Sequence, residues 1–114
     1  RAESPWLQAR VRFVGGMVGE VICTVPESLV RELTATFAGI EAAAVDAGMI
    51  QDRVGEFCNM VCGRWLRRVS ERSSFRLSPP QVTRTDTLSE SDLAELQSLI
   101  GGRPAAVRVV VTGW

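Results

Sequence analysis

Hydrophobic and polar positions alternate over the first part of the chain. Leu7, Ala9, Val11 and Phe13 fall on one side of Trp6 to Val14, and Gln8, Arg10 and Arg12 on the other. That period of two predicts a half-buried strand. Gly15-Gly16 is a turn signal, and Met17 to Val25, with Val18, Val21, Ile22 and Val25, predicts a second strand. The pair reads as a hairpin. The period then lengthens. Pro26-Glu27-Ser28 suits a helix start, Leu29, Val30, Leu33 and Phe37 give its apolar stripe, and Gly39 ends it. Glu41 to Gly48 reads as a spacer.

The strongest periodic stretch runs from Ile50 to Ser70. Ile50, Val54, Phe57, Cys58, Val61, Trp65 and Val69 recur at spacings of three and four, as in a helix burying one stripe. At about 100° per residue, Val54, Val61 and Trp65 point inward. Asp52, Glu56, Asn59, Gly63 and Arg67 point outward. Fraying is expected near Glu71 to Ser74. Pro79 to Thr85 predicts a short strand. Ser89-x-x-Asp92 resembles a capping box, followed by a helix on Leu93, Leu96, Leu99 and Ile100 that Gly101-Gly102 stops. Ala105 to Val111 reads as a central strand. The fold class is α+β, an antiparallel sheet packed against long helices.

At 114 residues the chain suits one domain with a modest core. All 13 basic residues are arginine, balanced by 13 acids, which gives nucleic-acid binding no support. Arg53, Arg64, Arg67, Arg68, Arg72 and Arg76 gather around the long helix, and acids between Asp86 and Glu95. Such a patch steers acidic partners, or is simply solvated. Without histidine, Ser–His and Cys–His nucleophiles and histidine metal sites are excluded. Without lysine there is no phosphate-binding loop of the Gly-x4-Gly-Lys kind. Cys23, Cys58 and Cys62 are odd in number and read as small core residues in a reducing compartment. No signal peptide or membrane span is evident, so a cytoplasmic location is expected.

The outward face carries the candidate chemistry. Glu56 and Asn59, three apart, are neighbours on a helix surface. Gly63 lies nearly in line with Glu56 and costs helix stability of roughly 1 kcal/mol against alanine. One reason for accepting that cost is close approach by another body. Glu-x-x-Asn pairs also occur on faces that do nothing but stay wet.

Val54-Gly55-Glu56-Phe57-Cys58-Asn59-Met60-Val61-x-Gly63 resembles the signature helix of the CheC/CheX/FliY family of chemotaxis phosphatases. Asp52 stands where that family often has Asp or Ser. Ser78-Pro79-Pro80 resembles its proline-bearing lead-in to the next strand, a couple of residues nearer to Asn59 than in the family pattern. A single Glu-x-x-Asn is similar to the CheX branch. The resemblance implies one CheX-like domain over 1–114, without the family's N-terminal helix, so that another element covers that part of the sheet. The chain is read as a domain trimmed from something longer.

The resemblance also implies a phosphatase acting on the aspartyl phosphate of a CheY-like response regulator. Asn59 would orient the attacking water and Glu56 would pair with the regulator's lysine. Gly63 would let the partner close in, and Asp52 and Arg67 would sit at the rim. The regulator would bring Mg2+, leaving this chain without a cofactor, and the CheX branch implies a homodimer through sheet edges. The alternatives are a non-catalytic binding or dimerisation module of the same fold, a structural partner domain in a larger signalling protein, or an unrelated α+β domain.

Overall fold

Strand alternation becomes β1 (Trp6–Val14), with Leu7, Ala9, Val11 and Phe13 all buried on one side. This computed structural model describes residues 5–70 and 74–114. Of the expected frayed lead, residues 1–4 lie outside them, as do 71–73 of the expected fraying after the long helix and with them Arg72. β1 forms the expected hairpin with β2 (Val18–Pro26), in register from Val14↔Val18 to Trp6↔Pro26. Helix α1 (Glu27–Ala38) follows, closed by Gly39 at φ 67°. The spacer holds one short 3-10 turn, Ala42–Ala44.

The long helix, α2, spans Ala47–Val69. It starts three residues before Ile50 because Asp46 caps it, its Oδ1 accepting from Met49 N–H at 2.8 Å. After it come β3 (Arg76–Leu77), β4 (Gln81–Thr85), α3 (Glu90–Glu95), β5 (Gln97–Ile100) and β6 (Arg103–Gly113). The sheet is antiparallel, in the order β3-β1-β2-β6-β5. β3 and β4 share the outer edge of β1, β3 beside Phe13 and Val14 and β4 beside Trp6 to Arg10.

Two helical stripes differ from expectation. On α1 the buried residues are Leu29, Val30, Thr34 and Ala35, while Leu33 and Phe37 are exposed. Thr34 can be buried because its hydroxyl donates to the Val30 carbonyl at 2.7 Å, which satisfies it inside its own helix. On α2 the buried set is Ile50, Val54, Gly55, Cys58, Cys62 and Leu66. Phe57, Val61 and Trp65 are only half-buried. The inward direction is thus turned by about 50° from the Val54–Val61–Trp65 line, at 100° per residue. Glycine and two cysteines are small, so α2 settles closely on the sheet along that line. Trp65 covers the seam instead, its ring 5.8 Å from Phe13.

The helix expected over Leu93 to Ile100 is a correction. Helix α3 ends at Glu95, and Gln97–Ile100 is a strand paired with Arg103 to Ala105. Gly101 and Gly102 have φ of 56° and 76°. Positive φ at both positions suits a two-residue hairpin loop, so this glycine pair turns a hairpin and does not end a helix.

The sheet face away from α1 and α2 carries Trp6, Ile22 and Ala106, all buried. Helix α3 is fixed to that side. Gln8 Nε2 donates to Asp92 Oδ2 and Thr24 Oγ1, both at 3.1 Å. Arg108 reaches Asp92 at 3.6 Å and Glu95 at 3.2 Å. The acids between Asp86 and Glu95 thus serve partly to hold α3. Ser89 Oγ accepts from Asp92 N–H at 3.1 Å, as the capping pattern predicts.

Candidate functional site on helix α2

The buried set of α2 fixes what its other side presents. Cys58, between Glu56 and Asn59, sits fully buried, its thiol against the carbonyls of Ala9 (3.3 Å) and Val21 (3.5 Å). The helix therefore cannot roll without breaking packing on both central strands. Asp52, Glu56, Asn59 and Arg67 are exposed and Gly63 is partly exposed. All five residues expected on the outward face are on it.

Two open grooves run along this face. One, of about 540 Å3, is lined by Gln51, Asp52, Gly55, Glu56, Asn59, Pro80 and Val82. The other, of about 530 Å3, is lined by Glu56, Asn59, Met60, Gly63, Arg64, Arg67 and Leu77. Glu56 and Asn59 form the ridge common to both. Asp52 belongs only to the first, and Gly63 and Arg67 only to the second. Glu56 is 68% exposed at its side chain, and Arg53 Nη1 stands 3.8 Å from its Oε1. A pair that long and that wet holds the carboxylate weakly, leaving it available to a stronger cation.

The walls explain the proline-bearing segment. Ser78 ties it to the edge of β1: its N–H donates to Arg12 O and its Oγ accepts from Arg12 N–H, both at 2.9 Å. The chain then passes Pro79 and Pro80 before β4 begins. Proline is tolerated at such an edge because no ladder bond is needed there. Pro80 lies against Gly55, where an added Cβ would be 3.2 Å from Pro80 Cβ and 3.4 Å from Cγ. At Gly63 an added Cβ meets nothing within 4 Å. Gly55 makes room for the fold itself, whereas the space over Gly63 is open. Periodicity gave no role to Gly55, Gln51, Met60 or Leu77. Gly55 and Met60 had a signal in the sequence, as the glycine preceding the glutamate and an apolar residue following the asparagine in the quoted motif.

Behind the site lie the three free cysteines, all buried. Cys23 is pushed up by its hydrogen bond with Cys58 and by burial, and the same bond holds Cys58 down. Burial raises Cys62 to about 11. Among the described residues no group of three or more His, Cys, Asp or Glu side chains is arranged to hold a metal ion. No helix among them is long and apolar enough to cross a membrane.

A family model described as chemotaxis phosphatase CheX matches residues 7–100. The chain belongs to the CheX family. Its fold is similar to solved CheX and CheC-like structures. CheX from Vibrio vulnificus superposes with a TM-score of 0.68 at 22% identity, covering 93% of this chain and 75% of that one. A CheC-like superfamily protein from Shewanella sp. PV-4 gives 0.68 at 24%, covering 94% and 73%. A CheX–CheY–BeF3–Mg2+ complex from Borrelia burgdorferi gives 0.62 at 14%, covering 92% and 75%. At these identities the structures establish the fold. No curated protein matches the chain in sequence.

Proposed function

We propose that this CheX-family chain accelerates hydrolysis of the aspartyl phosphate on a CheY-like response regulator. One observation carries the reading: Glu56 and Asn59 stand exposed, one turn apart, on a helix whose rotation is fixed by Cys58. The Borrelia complex, in which a CheX binds CheY with BeF3 and Mg2+, supports the choice of partner.

Phosphoryl transfer is mostly positioning and electrostatics. The regulator supplies Mg2+, which neutralises charge on the phosphoryl oxygens. This chain supplies an amide and a carboxylate. Asn59 offers an acceptor and two donors and carries no charge, so it holds water in line without itself attacking phosphorus. The water oxygen bonds to phosphorus as the bond to the aspartyl oxygen breaks. The regulator's aspartate is left as a free carboxylate, inorganic phosphate departs, and one proton of the water passes to solvent. Holding the water in attack geometry is worth several kcal/mol. Glu56 leaves Arg53 and takes the regulator's lysine, a shorter charge-assisted contact that sets the register of insertion. Asp52 and Arg67 lie at the far ends of the two grooves, where charge governs encounter more than affinity. Gly63 admits the partner's backbone.

The deciding assay follows the decay of a phosphorylated receiver domain with and without this protein. Faster loss of phosphate in its presence is expected; an unchanged rate with every CheY-like receiver tested overturns catalysis and leaves a binding module. A second copy of the chain is also proposed as partner. Among the described residues no strand pairs with the outer edge of β6 beyond Ala105, and Val107 there is 43% exposed. Such an edge invites pairing, and light scattering at twice the chain mass is expected. The reading places the protein in the cytoplasm, where its thiols remain reduced and response regulators act.

A further inference from the structure

Glu56 lines a third depression, and this one is apolar. On the flank of α2 away from β4, α1 and the tip of the β5–β6 hairpin enclose about 340 Å3. Leu33 and Phe37 of α1, Phe57 and Met60 of α2 and Ile100 are among its walls. Phe37 is 72% exposed, Met60 60% and Leu33 38%. Apolar surface gathered in this way marks an interaction site more often than scattered exposed residues do.

Arg53 joins the apolar floor to the carboxylate. Its guanidinium carbon lies 5.1 Å from the Phe37 ring centroid, and its Nη1 3.8 Å from Glu56. Nearby on α2, Arg64, Arg67 and Arg68 have no carboxylate within ion-pair distance among the described residues.

We infer that this groove is a second contact for the phosphorylated receiver domain. It receives an apolar side chain that the regulator projects beside its phosphoaspartate, while Glu56 and Asn59 engage the phosphoryl end. The inference rests on the reading given under Proposed function. Continuity selects the occupant: Met60 is one turn from Glu56, about 5–6 Å between Cβ atoms, so a domain that reaches Asn59 overhangs the groove. A stable interface covers about 800 Å2 on each partner, far more than two side chains supply. Charge agrees, since the unpaired arginines face a partner made anionic by its phosphoryl group. Composition agrees as well, because Phe, Met and Arg are the types enriched at interface centres.

The test titrates a CheY-like receiver carrying BeF3 and Mg2+ with wild type, with Leu33→Ser/Phe37→Ser, whose side chains line only the apolar groove, and with Asn59→Ala. Weakening of about tenfold or more in the double variant is expected, with turnover at saturating protein retained. Should the double variant fail to fold, Phe37→Ala, altered at a solvent-facing ring, carries the measurement. Unchanged affinity in a folded groove variant overturns the groove and leaves the Glu56–Asn59 reading intact. Loss of self-association with receiver binding unchanged assigns the groove to a second copy and also overturns the inference. Absence of wild-type binding to any receiver overturns both readings together.

Discussion

Replacing Gly63 with alanine separates what the fold needs from what a partner needs. Glycine inside a helix costs about 0.8–1 kcal/mol relative to alanine. A Cβ at 63 meets no atom within 4 Å, so no clash offsets the gain. The variant should therefore be more stable by about 0.8–1 kcal/mol, which raises the melting temperature by roughly 3–6 °C in a domain of this size. In the receiver-decay assay the same methyl stands where the partner must come close, so activity at limiting protein should fall. Gly55→Ala is the control. Its Cβ would press on Pro80 at 3.2 Å, and overpacking of about 1–3 kcal/mol cancels or exceeds the same helical gain. Thermal melts by circular dichroism and the decay assay give both readouts. If Gly63→Ala melts no higher than wild type, the open face is wrong. If it melts higher but dephosphorylates equally well, close approach is not why glycine stands there.

Trp6→Ala should cost about 3–5 kcal/mol, because that ring is 1% exposed, while Trp65→Ala should cost less because Trp65 is half-buried; denaturant midpoints decide the order. Asp46→Ala removes the cap on α2 and should lower stability by about 1 kcal/mol, read as a shift in the same midpoint. In reducing buffer, stability should fall as pH rises from 9.0 towards about 11, because Cys62 is raised from the first value to the second. A thiol that resists ionisation in the fold stabilises below its unfolded pKa and loses that contribution above it. Melting temperatures across that window should drop less for Cys62→Ala. Glu56→Ala should raise the protein concentration needed for half-maximal dephosphorylation, and an unchanged concentration dependence contradicts the lysine-pairing role.

Much of this architecture was legible because one face of each central element is dry. β1 buries one side against α2, so alternation marked it, and the apolar run of β2, dry on both faces from Val21 to Pro26, marked that strand to within a residue. The length of α2 and its outward face followed from the same logic. Its rotation did not, because counting large apolar residues gave Trp65 full weight and Gly55 none, whereas small residues govern how closely a helix can lie on a sheet. Phe37 and Leu33 misled for a related reason: Thr34, polar by type, is buried by bonding to its own helix. Leu93, Leu96 and Ile100 fit a helical spacing, yet the adjoining strand partner Arg103 to Ala105 draws Gln97–Ile100 into the sheet. Local periodicity carries no information about that pairing. The grooves beside Glu56 and Asn59 depend on Pro80, Val82 and Leu77, residues distant in sequence from α2 and so invisible to any reading of the helix alone.

The chemistry attributed to the α2 ridge is tested most directly by the Asn59→Ala variant in the receiver-decay assay, with binding to the BeF3-loaded receiver measured in parallel. The account predicts decay no faster than the receiver's own, with binding largely retained. Decay as fast as with the wild-type protein contradicts it.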